Sequence, residues 1–233
     1  MSTEKMFVLK VSGKIINEEN VELVKGYAST IRQLASEGYR IVVVVGGGPT
    51  ARKYISCART LGLNEAQCDI IGIEVSRLNA LLLASAIGLD IAYTPIPRSI
   101  DDVARAWHSG RIVVMGGLQP GQSTAGTAAV VAEFLGVKLM LYATDVDGIY
   151  DKDPKRFRDA KLLRYVSVDD LEKILMSSQT YSAGGYQLLD PIALRIVRRS
   201  RIRVIVFNGM DPSNIVKALR GEIGSTVIPS PEG

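Results

Sequence analysis

Four stretches of the chain are continuously apolar rather than alternating: Met6–Val11 (MFVLKV), Arg40–Val45 (RIVVVV), 111–115 (RIVVM) and 139–143 (LMLYA). Runs of this length and make-up suit strands covered on both faces, as in a parallel sheet. Helical periodicity fills the intervals. Over 20–37, Val24, Tyr27, Ala28, Ile31, Leu34 and Ala35 recur at i, i+3, i+4, i+7, and Gly38 is the natural stop. Over 64–88, Ile70, Ile71, Ile73, Val75, Leu78, Leu81 and Leu82 supply the apolar positions of a longer helix. A short helix is expected over 99–108, where Ser99 and Asp101-Asp102 suit an N-terminal turn, and a small-residue helix over 125–135. The final third predicts helices over 168–175, 190–200 and 211–220, and strands over 203–207 and Ser225–Ile228. A weak strand over 91–96 is closed by Pro95 and Pro97, and 176–187, with Gly184-Gly185, reads as a polar mobile loop.

Strands alternating with helices predict an α/β protein: a doubly wound, three-layer αβα sandwich around a mainly parallel open sheet. No linker or internal repeat interrupts it, so 1–233 reads as one domain with two lobes. The strand ends carry the chemistry, because open α/β sheets bind ligands at the carboxyl ends of their strands. The first strand delivers Lys10 and Ser12-Gly13-Lys14. The second opens into Gly46-Gly47-Gly48 and then Pro49-Thr50-Ala51-Arg52, a glycine loop running into a helix start. Such a loop lets backbone N–H groups approach an anion, and the helix terminus adds partial positive charge. The third opens into Gly116-Gly117-Leu118-Gln119-Pro120-Gly121-Gln122-Ser123-Thr124. The fourth opens into Thr144-Asp145-Val146-Asp147-Gly148-Ile149-Tyr150 and continues to Asp151 and Asp153-Pro154. Four aspartates in nine residues are too much charge to bury unpaired; they face water, a metal or cationic side chains. Asp69, early in the long helix, is either a solvent-facing charge or a hydroxyl acceptor for a sugar.

Composition bounds the partners. At 233 residues the chain can bury a core without a disulfide or metal scaffold, and 47% apolar with 22% charged residues is ordinary for a globular protein. A net charge of +4, spread along the chain apart from the run 195–203, implies no nucleic-acid partner. Cys57 and Cys68 lack metal-ligand spacing and point to a reducing compartment, so a cytoplasmic protein is expected. No apolar run is read as a membrane span, and no signal-peptide core is seen.

Backbone N–H loops, a lysine at a strand end and an aspartate cluster suit phosphoryl transfer, which needs positioning and charge stabilisation. The P-loop, protein-kinase and G-x-G-x-x-G fingerprints are absent from the sequence. The single histidine, His108, sits beside Trp107 in a helix and reads as surface or packing. No Cys/His cluster supports a zinc site.

Three of these segments together resemble the amino acid kinase family: 9–14, Gly46–Gly48 with Arg52, and 144–150 with Asp153-Pro154. Within that family, Asp69-Ile70-Ile71-Gly72-Ile73, Ser76-Arg77-Leu78-Asn79-Ala80 and Gly116–Thr124 are similar to the uridylate kinases, in a form resembling their archaeal branch. The resemblance covers essentially the whole chain. It implies the amino acid kinase (carbamate kinase-like) fold, an acceptor lobe over about 1–135 and an ATP lobe over 136–233. It further implies ATP-dependent, Mg²⁺-assisted phosphorylation of UMP to UDP, with the metal held mainly by the nucleotide phosphates and no protein metal site.

By position, the resemblance assigns Lys10 and Asp190 to catalysis. It assigns Lys10, Ser12, Gly13, Lys14, Gly48, Arg52, Thr144, Asp145, Tyr150 and Asp153 to ATP. It assigns Gly47, Arg52, Asp69, Leu118, Gln119, Pro120, Gly121, Gln122, Ser123 and Thr124 to UMP. It also implies a homohexamer built as a trimer of dimers and feedback inhibition by UTP. Position 145 is Asp where uridylate kinases usually carry Asn or Lys, which is more like other small-molecule kinases of the family. An isopentenyl phosphate kinase is the alternative, although a histidine would be expected near its acceptor phosphate; a non-catalytic nucleotide-binding protein is a second. Among the clustered aspartates, Asp153 reads as the nucleotide contact, Asp147 as holding the turn and Asp151 as solvated.

Overall fold

A computed structural model describes residues 5–177 and 189–229. In chain order the elements are β1 (Met6–Val11), α1 (Val21–Ser36), β2 (Arg40–Val45), α2 (Gly48–Thr60), α3 (Glu65–Ile87), α4 (Ile100–His108), β3 (Val113–Met115), α5 (Thr124–Phe134) and β4 (Leu139–Thr144). There follow β5 (Ile149–Tyr150), β6 (Leu162–Leu163), β7 (Tyr165–Ser167), α6 (Val168–Ser177), α7 (Pro191–Arg199), β8 (Arg203–Asn208), α8 (Asn214–Leu219) and β9 (Ser225–Ile228). The loop expected over 176–187 lies, from 178 onward, outside the described residues.

One seven-stranded sheet runs β3-β2-β1-β4-β8-β9-β7 and is parallel except at β8–β9. The continuous apolar strands are buried on both faces. Phe7, Leu9, Val11, Val43 and Leu141 pack with α1, α3 and α8. Val8, Val42, Val44, Met140 and Tyr142 pack with α4, α5 and α7. Period-two alternation therefore sends Lys10, two residues after Val8, to the α5 and α7 face. This is the expected three-layer αβα sandwich.

Connectivity locates the functional edge. From β1 the chain crosses by α1 to β2 on one side, whereas from β4 it proceeds to β8 on the other. The neighbouring strands β1 and β4 thus lead away in opposite directions. A crevice opens beyond their carboxyl ends, where doubly wound sheets bind ligands. The register there pairs Lys10 directly with Tyr142 and Val11 with Ala143.

Several local expectations give way to tertiary context. The strand expected over 91–96 reduces to a single bridge, Ala92 to Ile112, because Pro95 and Pro97 offer no N–H to a ladder. The helix expected over 211–220 begins only at Asn214; Asp211 instead accepts from the Ser213 N–H (2.9 Å) and hydroxyl (2.7 Å) in the preceding turn. The antiparallel pair β5–β6 and the strand β7 carry too few residues to announce themselves in the sequence. Helix α3, by length and composition alone, is long and apolar enough to cross a membrane, which the reading of its separate apolar positions did not anticipate. Its buried side includes Ile73, Ala80, Leu83 and Ile87, and the last three join the α1-side core.

Candidate active site at the crevice between β1 and β4

Lys10 is the least expected tenant of the core. It is 6% exposed, and its ammonium donates to the Tyr142 hydroxyl at 2.9 Å while lying 4.0 Å from the centre of the same ring. Burial pushes its amine down to about 7, against a smaller opposing pull from Asp145. Burial likewise raises the Tyr142 phenol, reinforced by Asp145 and, more weakly, Asp190. A buried amine this close to its neutral form gains most from an incoming anion, because a phosphate restores the charge that desolvation opposes.

The loops after β1 and β2 touch through their glycines. A Cβ on Gly48 would stand 2.1 Å from the Gly13 carbonyl oxygen, and Gly48 has φ +65°. The contact seats the N-terminus of α2 beside Lys10's strand. Gly47 caps that helix without any side-chain hydrogen bond, so no side chain at the cap competes with a ligand for the N–H groups of the first turn, the arrangement by which helix N-termini bind anions. By contrast, the α5 terminus is satisfied internally: Ser123 Oγ accepts from the Ala125 and Gly126 N–H groups at 3.1 and 3.0 Å.

Helix α3 fixes this edge. The Asn79 amide donates to the Gly46 carbonyl at 3.0 Å, and the Ser76 hydroxyl accepts from the Gly117 N–H at 2.8 Å. Asp69 accepts from the Gly121 N–H at 2.8 Å, so its carboxylate ties α3 to the loop after β3. Between these parts lies a cavity of about 250 Å³ lined by Gly47, Gly48, Arg52, Asp69, Gln122 and Thr124, among others. Arg52 is exposed there and carries no ion pair among the described residues. Leu118 meets α3 through its carbonyl, which accepts from Arg77 at 3.2 Å. Gln119, Pro120 and Gly121 are exposed at the loop's tip.

On the far side, Asp190 caps α7 by accepting from the Ala193 N–H at 2.8 Å, and it also accepts from the Ser123 hydroxyl. One carboxylate thereby joins the N-termini of α5 and α7. Asp145 bridges two cations, Lys14 at 2.9 Å and Lys155. Desolvation opposes its charge, but hydrogen bonds from Lys155 and Lys14 outweigh that and bring its carboxyl down to about 2. Ser12 joins the β4 end, its N–H donating to the Ala143 carbonyl at 3.0 Å. Thr144 Oγ1 stands 3.3 Å from Asp145 Oδ1.

The remaining aspartates of this segment bind neighbouring side chains or backbone N–H groups. Asp147 accepts from the Asn208 amide at 3.0 Å and the Tyr150 hydroxyl at 3.3 Å. Asp151 is exposed, as expected, and its carboxylate also accepts from the Lys161 N–H at 2.8 Å, beside the β5–β6 pair. Asp153 accepts from the Lys155 N–H at 2.9 Å in its own turn. Tyr150 and Asp153 sit on this excursion, apart from the cavity lining. Sequence reasoning passed over Tyr142, which reads only as strand, and Lys155; it singled out Ser76 and Asn79 as part of a motif without assigning them the task of holding the glycine loops. The signal for Tyr142 was its place in the strand beside Lys10. Among the described residues no group of three His, Cys, Asp or Glu side chains could hold a metal ion.

Comparison with known proteins agrees with this geometry. Residues 5–208 match the model of the amino acid kinase family. A uridylate kinase of Hyperthermus butylicus is 50% identical over 221 residues, covering 94% of this chain and 96% of that one. One of Sulfolobus acidocaldarius is 49% identical over 223 residues, covering 95% and 98%. The crystal structure of uridylate kinase from Archaeoglobus fulgidus superposes with a TM-score of 0.85 at 38% identity, covering 95% of this chain and 99% of that one.

Proposed function

The chain belongs to the amino acid kinase family, and on that premise we infer that it is a UMP kinase, transferring the terminal phosphoryl group of ATP to UMP. The observation that carries the reading is the crevice itself. A buried lysine, an uncapped helix N-terminus and a small cavity edged by Arg52 and Asp69 meet where β1 and β4 diverge.

The acceptor phosphate has a second pKa of ~6 and is already largely dianionic at neutral pH, so no general base is required. Bringing two anionic nucleotides together is the harder task. Lys10 stabilises charge on the transferring group, the α2 N–H groups of the Gly47-Gly48 loop face the phosphates, and Arg52 holds a phosphate from the exposed rim. The cavity, just below the roughly 300–1,000 Å³ usual for small-molecule sites, suits one mononucleotide. Asp69 meets the UMP ribose, with Leu118–Thr124 folding over it. Ser12, Gly13, Lys14, Thr144 and Asp145 flank ATP, and Tyr150 and Asp153 frame its base and ribose. Asp190 orders the catalytic edge by joining α5 to α7. Mg²⁺ bound to ATP would neutralise charge on its phosphates; the carboxylates of the crevice, Asp145 and Asp190, are already engaged by Lys14, Lys155 and Ser123 and leave the nucleotide to hold it.

The acceptor and ATP lobes divide the sheet between β1 and β4: β1, β2 and β3 lie on one side, β4, β7, β8 and β9 on the other. UTP, carrying both uridine and a phosphate chain, competes at this crevice. The free thiol Cys57, exposed, suits a reducing cytoplasm. The exposed apolar residues Tyr54, Ile70, Leu78, Leu81 and Leu82 of α2 and α3 flank a groove of about 810 Å³, which supports assembly with further copies of this chain.

The test is a coupled assay of ADP release across UMP, CMP, dUMP, isopentenyl phosphate and N-acetylglutamate. Turnover with UMP in excess of all others is the expected result; preference for isopentenyl phosphate would replace the reading.

A further inference from the structure

We propose that Tyr142 is a positioning residue for the phosphoryl-transfer reaction, its hydroxyl and ring together fixing where the Lys10 ammonium stands. The inference rests on the UMP kinase reading, because it assigns Tyr142 a task only if Lys10 meets the transferring group.

Three observations carry it. The strands place Lys10 and Tyr142 directly opposite each other in a parallel pair. The ammonium makes two contacts with that one side chain, a 2.9 Å hydrogen bond to its oxygen and a 4.0 Å approach to its ring centre. Among the described residues Lys10 has no other hydrogen-bond or ion-pair partner; Asp145, the nearest acid by its influence, is engaged by Lys14 and Lys155 instead. A lysine side chain has four rotatable bonds and settles into one place only when something holds its end. Here the holder is neutral. A carboxylate would bind the ammonium tightly and compete with phosphate, whereas a phenol and an aromatic face stabilise the cation modestly and release it to a stronger anion.

A tyrosine serving only as core filler is the rival explanation, since Tyr142 is 6% exposed and belongs to the α5-side core. The two roles diverge in Tyr142→Phe, which keeps the ring and removes the oxygen. If Tyr142 positions Lys10, kcat falls about tenfold, the effect of losing one hydrogen bond to a charged group, while KM for UMP holds. The protonated form of Lys10 also loses an acceptor, so the alkaline limb of kcat/KM for ATP moves to lower pH. In a Lys10→Ala background the same substitution should change kcat no further. A folded Tyr142→Phe with unchanged kcat and alkaline limb overturns the proposal, as does a full tenfold loss in the Lys10→Ala background.

A second arm needs neither variant nor turnover. In the wild-type protein without nucleotide, the Lys10 ε-carbon and the Tyr142 ring signals should titrate in NMR with one shared midpoint. Independent titration overturns the placement of the cation on the ring. An absence of UMP turnover in wild-type protein would instead sink the kinase reading and leave this coupling intact.

Discussion

Lys10 carries two opposed consequences of one placement. Its ammonium sits 2.9 Å from a phenol in a site that desolvates it, and a charge held this way costs the fold free energy while it waits for substrate. Removing it should separate catalysis from binding. Lys10→Ala is expected to lower kcat by about 10²–10³, the usual cost of one electrostatic stabiliser, with KM for UMP within about threefold of wild type. Steady-state kinetics decide the point; a kcat near wild type removes Lys10 from the reaction. Lys10→Met should meanwhile stabilise the protein by about 2 kcal/mol at pH 7, since an apolar chain of similar length replaces a buried amine. The sign with pH follows from an amine held at about 7 when folded and 10.5 when unfolded. Between those values the unfolded chain binds the extra proton, so wild-type stability rises with pH. The advantage of the methionine variant is therefore full below pH 7 and shrinks from pH 7 toward 10.5. Urea denaturation at pH 6.5 and 9.5 measures it. Lys10 was legible in the sequence as a lysine at a strand end, and Gly47, Gly48 and Arg52 as a glycine loop entering a helix. Tyr142 was not, because a tyrosine in an apolar strand looks like packing until the register shows what stands opposite it.

Elements position what the residues execute. The proposed anion site at the start of helix α2 depends on a cap that is a glycine lacking a side chain, and on Gly48, which lets two loops meet at close contact. Gly48→Ala tests this directly. The new Cβ would lie 2.1 Å from the Gly13 carbonyl oxygen in a backbone region that alanine avoids, so the loops after β1 and β2 must separate. The expected outcome is loss of turnover by about a hundredfold with KM raised for both nucleotides, since about 1 Å of displacement suffices for that loss. A kinetically normal Gly48→Ala would show that the two loops need not touch. The long helices were legible because their periodicity spans several turns, and the six-residue strands because they are continuously apolar. The excursion over 145–163 was not. Its strands are two residues long, and its aspartates gain meaning only from partners far along the chain, as with Asn208 for Asp147 and Lys161 for Asp151. Asp145, acidic where a neutral or basic residue was expected, is explained by the two lysines on either side of it.

At the scale of the molecule, α3 has two jobs on opposite sides. One side buries Ala80, Leu83 and Ile87 and reaches the active edge through Ser76 and Asn79; the other leaves Ile70 52%, Leu78 63% and Leu82 41% exposed beside Tyr54 of α2. A contiguous apolar face of this kind is uncommon on a monomer. A second copy of the chain covering it would also brace the helix that holds the Gly46 and Gly117 loops, coupling assembly to catalysis. Charge placed in that face should therefore be felt at both levels. Leu78→Glu with Leu82→Glu is expected to lower the mass seen by light scattering to that of one 25.2 kDa chain. Both side chains are already exposed in the single chain, so a folded monomer is expected, with circular dichroism unchanged. KM for UMP should rise as the loops lose their support. A variant that keeps the wild-type mass shows that α3 is not the joining surface. A monomer with unchanged kinetics shows instead that each chain's catalytic edge is rigid without its neighbour.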